Sequence, residues 1–439
     1  MNWSERLLVG IDFSKGRADF ALLHADGQPI EIHRAFANSW PGFEGAKALL
    51  LETLAEYSYR GVDIAGEATS YYWLPFFQQL EADPQLSAFD PNLFLLNARW
   101  VRGFKQSFSP DNKDDATDPQ YIAERIRFKR PQTAWKLDPK WLPLRMYTRL
   151  RLHLVKSQVR AKNLCQVYLF LAYNTYTRYR PFSDALSVTS QRLLRQPELL
   201  ARLSDLELDA LAAELHELSG HRLPDPHKNA RALQKVLAES FPKPAALAEP
   251  IQEILEVLLD TIASLQTQIQ AADELIHRQV QAGYPEVAWL DSIPGIGPVY
   301  ASGIAAEIGD LERFTQVPKW DKKRKTYRPR QAKEIEDAVA KFAGLWWPKN
   351  ASGDFEAEER PMKREGNAYL RYYLLEAADN LRQFIPSYAA YYQKKFDQAN
   401  KHKHKRAIVL TGRKALGLFV GLLRRKETYR AKEATRPDA

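Results

Sequence analysis

Short apolar runs punctuated by turn residues fill the first third of the chain. Leu7-Leu8-Val9-Gly10-Ile11 ends in Asp12, and Phe20-Ala21-Leu22-Leu23 leads into an Asp26-Gly27 turn. Val62-Asp63-Ile64-Ala65-Gly66 ends in Glu67, and Leu93-Phe94-Leu95-Leu96-Asn97 is a fourth run. Apolar runs of this length, bounded by Gly, Asp and Asn, predict strands. Thr53 to Arg60 predicts a helix end just ahead of the third run. Strands alternating with helical patterns predict an α/β domain. Pro131 to Pro143 is a connector bearing Pro and Trp, and from Leu144 onwards the period is helical.

The pattern therefore predicts three regions: an α/β domain over 1–143, a helical middle over 144–284 and a mainly helical region over 285–439. Leu144 to Tyr173 predicts one long basic helix, with Arg149, Arg151, Lys156, Arg160 and Lys162 among its apolar residues. Ser183 to Pro244 predicts short helices broken by Gly220 and Leu223-Pro224-Asp225-Pro226. Leu255, Leu258, Ile262, Leu265, Ile269, Ala272 and Ile276 then step by threes and fours, which keeps one apolar seam on a helix. Such a seam serves equally a helix packed on its own domain and a coiled coil joining protomers. Lys426 to Ala439 is polar and expected to fray.

A chain of 439 residues is long enough for more than one domain. Its net charge of +9 favours a polyanionic partner. A single cysteine, Cys165, excludes an internal disulfide framework and a cysteine-rich zinc site, and its expected role is that of a small apolar residue inside a helix. No basic-then-apolar leader and no bilayer-length apolar run is present, so a soluble, cytoplasmic protein with no membrane partner is expected.

Charge at the ends of apolar strands changes the picture most. An acid at the tip of a buried strand is costly unless something neutralises it. A pair of Mg²⁺ or Mn²⁺ ions would do so, since hard cations prefer carboxylate oxygens and keep open positions for water and phosphate. Asp12 and Glu67 sit at such tips; their bland alternatives are a turn aspartate and a first-turn glutamate. A third acidic group is Asp111, Asp114, Asp115 and Asp118, ahead of a helix continuing through Tyr121, Ile122 and Ile126. Two registers place acids three apart on one helix face, Asp111 with Asp114 or Asp115 with Asp118. Asp118 lies nearer the apolar face, which favours the second, and the alternative for Asp111 and Asp114 is an N-terminal acidic cap. Phosphodiester chemistry is the leading expectation.

Val9-Gly10-Ile11-Asp12, Gly66-Glu67-Ala68-Thr69 and Lys113-Asp114-Asp115-Ala116-Thr117-Asp118, in that order, resemble the DEDD transposases of the insertion-sequence 110 family, the bridge-RNA-guided recombinases. Ile293-Pro294-Gly295-Ile296-Gly297-Pro298-Val299, Phe342-Ala343-Gly344-Leu345, Ala351-Ser352-Gly353 and Lys363-Arg364-Glu365-Gly366-Asn367-Ala368-Tyr369-Leu370-Arg371 resemble that family's C-terminal domain. The chain departs from the pattern at Asp114, at Pro119, at Glu365 and in a basic insert from Lys319 to Lys333.

The resemblance implies a ribonuclease-H/RuvC-like N-terminal domain and a C-terminal transposase domain, with the helical, candidate coiled-coil middle between them. It implies metal-binding catalytic acids at Asp12, Glu67, Asp115 and Asp118, and a nucleophilic serine at Ser352 that forms a phosphoserine link to DNA. Implied partners are donor and target double-stranded DNA, a bridge RNA, and further copies of the chain in a dimer or tetramer whose protomers share a composite site. The implied location is the bacterial cytoplasm, at the nucleoid.

The Pro-Gly-Ile-Gly-Pro turn itself resembles a helix-hairpin-helix, in which Gly295 and Gly297 let the backbone approach a phosphate. Lys113, Lys363, Arg364, Asn367 and Arg371 are further expected nucleic-acid contacts. Tyr372, Tyr373, Tyr391 and Tyr392 suit either base stacking or, for most of them, core packing. The rival functions are a protein-only DNA invertase, a metal-dependent junction nuclease without a covalent intermediate, and a catalytically silent nucleic-acid-binding protein.

Overall fold

The computed structural model describes residues 3–68, 70–108, 117–129, 134–321, 323–348, 351–352, 355–356, 362–363 and 365–431, with backbone alone at 108, 351–352 and 355–356. They form two compact units, Met1–Pro139 with Glu312–Gln331, and Lys140–Leu311 with Ala332–Ala439.

The first unit is built on a five-stranded sheet of β1 (Arg6–Phe13), β2 (Arg17–Leu23), β3 (Pro29–Ala37), β4 (Gly61–Glu67) and β5 (Pro91–Leu96), in the order β3-β2-β1-β4-β5. The β1–β2 and β2–β3 pairs are antiparallel; β1–β4 and β4–β5 are parallel. Strands β1 and β4 are buried on both faces, which is why they read as unbroken apolar runs rather than alternating ones. Gly27 takes φ +98° in the expected turn after β2, where Asp26 Oδ1 accepts from Gln28 N at 3.0 Å. Strand β3 was not among the expected elements: it is an edge strand, largely exposed and polar, so it lacks an apolar run.

Helices α1 (Trp40–Glu56), α2 (Leu74–Ala82), α3 (Pro84–Ser87), α4 (Ala98–Phe108) and α5 (Asp118–Phe128) complete this part. One sheet face carries an aromatic cluster in which Phe76 lies 5.7 Å from Phe13, 5.7 Å from Phe20 and 5.3 Å from Phe43. The opposite face packs Leu8, Leu23, Ala65 and Phe94 against Ile122, Ala123 and Ile126 of α5. Arg6, at the start of β1, is buried there with Asp63: its Nε lies 2.7 Å from Asp63 Oδ1, and its other nitrogens reach Asp90 Oδ2 and the carbonyls of Val62 and Asp90. Asn92 Nδ2 donates to the same Asp63 oxygen at 3.0 Å. The later segment adds α15 (Glu312–Thr315) and a hairpin of β6 (Lys319–Asp321) with β7 (Thr326–Arg328).

Among its described residues the second unit is helical apart from the short pair β8 (Ala351–Ser352) and β9 (Phe355–Glu356). Its spine is α6 (Trp141–Ala172) against α12 (Ala245–Gln281). Arg151 pairs with Asp273 and Gln158 Nε2 donates to Gln266 Oε1 at 2.9 Å, so a step up one helix is a step down the other and the pair is antiparallel. Leu255, Ile262, Ile269, Ala272 and Ile276 of the expected seam are buried; Leu259 is buried more completely than Leu258. Between these helices lie α7 (Tyr176–Tyr179), α8 (Val188–Leu194), α9 (Pro197–Ser204), α10 (Leu208–Leu218) and α11 (Pro226–Glu239). Cys165 is buried inside α6 in the core they share, and burial pushes its thiol up to about 11, as expected of an inert apolar cysteine. The rest of the unit is α13 (Pro285–Asp291), α14 (Pro298–Ile308), α16 (Ala332–Ala343), α17 (Ala368–Phe384), α18 (Pro386–Asp397) and α19 (Lys403–Arg425). Among the described residues no helix is long and apolar enough to cross a membrane.

Candidate active site

Side chains alternate along a strand, so Gly10 and Asp12 of β1 share the face covered by α5. Helix α5 lies directly on the strand at Gly10: a Cβ there would stand 1.9 Å from the Pro119 carbonyl oxygen and 2.6 Å from the Ala123 nitrogen. Only a glycine permits that approach, and the approach brings Asp118, the first residue of α5, to the end of the sheet that carries Asp12.

Cross-strand register brings the other acids to the same end. Ile11 pairs with Gly66 across β1 and β4, so Asp12 and Glu67 are the next residues on their parallel strands. On the other side Asp12 pairs with Asp19 of β2. The Asp12 carboxyl is pushed up to about 6, first by burial, then by the negative charges of Glu67, Asp118 and Asp19. Glu67 and Asp118 thus both lie close enough for Asp12 to feel their charge.

Asp118 and Asp19 have basic partners. Lys105 of α4 is hydrogen-bonded to Asp118 and lies over the Tyr121 ring. Asp19 is buried and bonded at 2.8 Å to both Arg17 Nε and His33 Nε2. Sequence reasoning missed Asp19 and Lys105. The signal for Asp19 was its place one strand away in a tight antiparallel pair; for Lys105 no local signal exists. Among the described residues no three acids or histidines close into a ready metal cluster. The donor set is nonetheless the kind that suits a hard cation, carboxylate oxygens gathered at one sheet end, with Asp12 resisting ionisation in their company. Asp115 and Lys113 lie outside the described residues, as do Asp111 and Asp114.

In the second unit Ser352 lies on β8, paired with Phe355, and its side chain is outside the described set, as is all of Arg364. Gly295 takes φ +87° in the turn before α14; a Cβ there would meet the Phe384 ring at 2.5 Å, and its carbonyl accepts from Asn380 Nδ2 at 2.9 Å. Gly297 caps α14 with open space around it, and the turn borders a cleft of about 470 Å³. Asn367 caps α17, accepting from Tyr369 N and Leu370 N, and its Nδ2 donates to buried Glu307 at 2.6 Å. Arg149 holds the same carboxylate through two bonds of 2.7 and 2.9 Å. Arg371 donates to the Ala343 carbonyl at 3.0 Å, while Lys363 is exposed and 3.4 Å from Glu365. Tyr373 is buried and donates to the Thr148 carbonyl at 2.7 Å, a packing role.

Two family models match the chain. Residues 9–173 match the DEDD transposase model of the IS110 group, described as a transposase. Residues 287–319 and 330–393 match a model described as the transposase IS116/IS110/IS902 family. A probable family 20 transposase of Pseudomonas aeruginosa is 30% identical over 139 residues, 31% of this chain and 40% of that protein. An IS116 insertion-element protein of 44.8 kDa from Streptomyces clavuligerus, itself uncharacterized, is 23% identical over 320 residues, 71% of this chain and 73% of that protein.

Proposed function

Since the chain belongs to the insertion-sequence 110 family of DEDD transposases, we propose that it is a DNA recombinase that cuts and rejoins DNA to mobilise an insertion sequence. The observation that carries this reading is the convergence of Asp12, Glu67 and Asp118 at one sheet end, with Asp12 pushed up to about 6 by burial and by the other acids. The strand order β3-β2-β1-β4-β5, antiparallel then parallel, supports a ribonuclease-H/RuvC-like domain.

Asp12, Glu67, Asp115 and Asp118 would hold two Mg²⁺ or Mn²⁺ ions, which when bound would supply polarisation of the scissile phosphate and charge stabilisation for the displaced oxygen. Ser352 is the nucleophile: its Oγ bonds to phosphorus as the strand's own ester oxygen leaves, and the proton lost from the serine hydroxyl is balanced, through solvent, by the one the departing oxygen takes up. The phosphoserine link conserves the bond for rejoining. Gly295, Gly297 and Lys363 border surfaces open to phosphate, whereas the bonds made by Asn367 and Arg371 hold the turn that presents Lys363. Donor and target DNA, a bridge RNA and further copies of the chain are the partners, and the bacterial nucleoid is the place of action.

Asp12→Asn is expected to abolish strand cleavage, by at least about 10³-fold or roughly 4 kcal/mol, while DNA binding persists. Retained cleavage would refute the metal assignment. Ser352→Ala should leave no covalent protein–DNA adduct, and an adduct that survives would refute the nucleophile. RNA copurifying with the chain, and recombination lost on its removal, separates guided recombination from a protein-only invertase.

A further inference from the structure

The match to the C-terminal family model breaks between residues 319 and 330, and the interruption coincides with the β6–β7 hairpin. The hairpin therefore belongs to this chain rather than to the common pattern. From Lys319 to Arg330 the sequence carries seven basic residues against one acid, Asp321, so a large part of the chain's net charge of +9 is concentrated there.

The one acid is used inside the turn. Asp321 Oδ1 accepts from Lys323 N at 2.9 Å and Arg324 N at 3.1 Å, and its other oxygen lies 3.4 Å from Arg328 Nε. Lys325 adopts φ +50°, completing the reversal, and Arg330 ties the base of the hairpin to the Phe314 carbonyl at 3.2 Å. Lys323, Arg324 and Lys325 are left exposed at the tip.

Trp320 and Tyr327 are register partners and so share one face of the ribbon. Their rings meet edge to face at 5.0 Å, yet they remain 47% and 66% exposed. A cross-strand aromatic pair stabilises a two-stranded ribbon, but that alone requires no cluster of cations beside it. Exposed aromatic rings next to a concentrated positive charge are the combination that binds unpaired nucleic acid, with cations on phosphates and rings on bases.

We propose that the β6–β7 hairpin is an additional nucleic-acid-binding element, in which Lys323, Arg324 and Lys325 grip the backbone while Trp320 and Tyr327 stack on bases where a duplex is opened. The partner class rests on the recombinase reading; the hairpin's part in it does not depend on the acids or on Ser352. Forked DNA with unpaired bases and the matching full duplex, each titrated with the full-length chain over a salt series, test it.

Lys323→Ala/Arg324→Ala/Lys325→Ala should weaken binding to both DNAs and flatten the salt dependence by about two to three units of slope on the duplex. Trp320→Thr/Tyr327→Thr keeps strand-forming residues and should weaken fork binding about tenfold or more while leaving the duplex unchanged. Trp320→Phe/Tyr327→Phe should restore the fork preference. Fork binding that survives the threonine pair, or falls equally on both DNAs, overturns the stacking role. An unaltered salt slope in the alanine triple overturns the grip on phosphate. A wild-type chain that binds neither DNA removes the recombinase reading as well, whereas unchanged variants of a binding wild type remove only the hairpin assignment.

Discussion

Asp63 and Asp12 lie on one face of one sheet, towards opposite ends, and meet opposite surroundings. Asp63 is fully buried and its charge is answered within the fold, by Arg6 Nε at 2.7 Å and by Asn92 at 3.0 Å. Asp12 is set among Glu67, Asp118 and Asp19, whose charges all oppose its ionisation. At the first end the carboxylate completes a structural network that links β1, β4 and the start of β5. At the second, Lys105 and Arg17 stand beside Asp118 and Asp19, yet Asp12 still meets like charge at a cost to the fold, the arrangement expected where a cation from outside completes the site. The difference separates an acid that serves folding from one proposed to serve chemistry.

The largest effect should come from breaking the structural end. Arg6→Met leaves Asp63 buried without its guanidinium and should destabilise the first unit by about 3 to 5 kcal/mol, read as a lowered midpoint in denaturant. Adding Asp63→Leu should recover most of that loss, since the pair's own net contribution is small. A single variant that unfolds like wild type would mean that the buried network carries no weight.

Next comes the join between the two ends. Gly10→Ala would place a methyl group 1.9 Å from the Pro119 carbonyl. Helix α5 must then lift, at a cost of about 1 to 3 kcal/mol. Because Asp118 rides on that helix, strand cleavage should fall further than stability does, and a loss of stability with full activity would detach Asp118 from the site.

The smallest effect has the opposite sign. Asp12 ionises near pH 3.8 when unfolded and near 6 when folded, so the native state loses stability as pH rises from about 4 to 6 and the penalty is constant above. Discounted for the partial exposure of the group, it amounts to about 1 to 2 kcal/mol. Asp12→Asn should therefore be more stable than wild type at pH 7 without added metal, and equal to it near pH 3.5. A destabilised variant at pH 7 would place Asp12 with Asp63, as a structural acid.

Much of this was legible along the chain, and the gaps have physical reasons. Strands β1, β2 and β4 announce themselves because central strands are apolar on both faces, and Asp12 and Glu67 stand out as the places where two of those runs stop. Strand β3 was silent because an edge strand can be polar. The seam on α12 was visible, but a heptad pattern is the same whether it packs on its own chain or on another; here it packs on α6. Asp19 and Lys105 join the acids through register and helix packing, which local sequence does not encode. Asn367 and Arg371 look like phosphate ligands in sequence, and a sequence could not show that Asn367 also donates to Glu307 and Arg371 to the Ala343 carbonyl.

Manganese binding, followed by electron paramagnetic resonance at pH 7 on the full-length chain, tests the functional end most directly. Wild type should take up two Mn²⁺ ions, with uptake weakening as pH falls below about 6, and Asp12→Asn and Glu67→Gln should each lose at least one of them while the Asp63 network stays intact. Equal uptake by wild type and both variants would contradict the assignment of these acids to a metal centre.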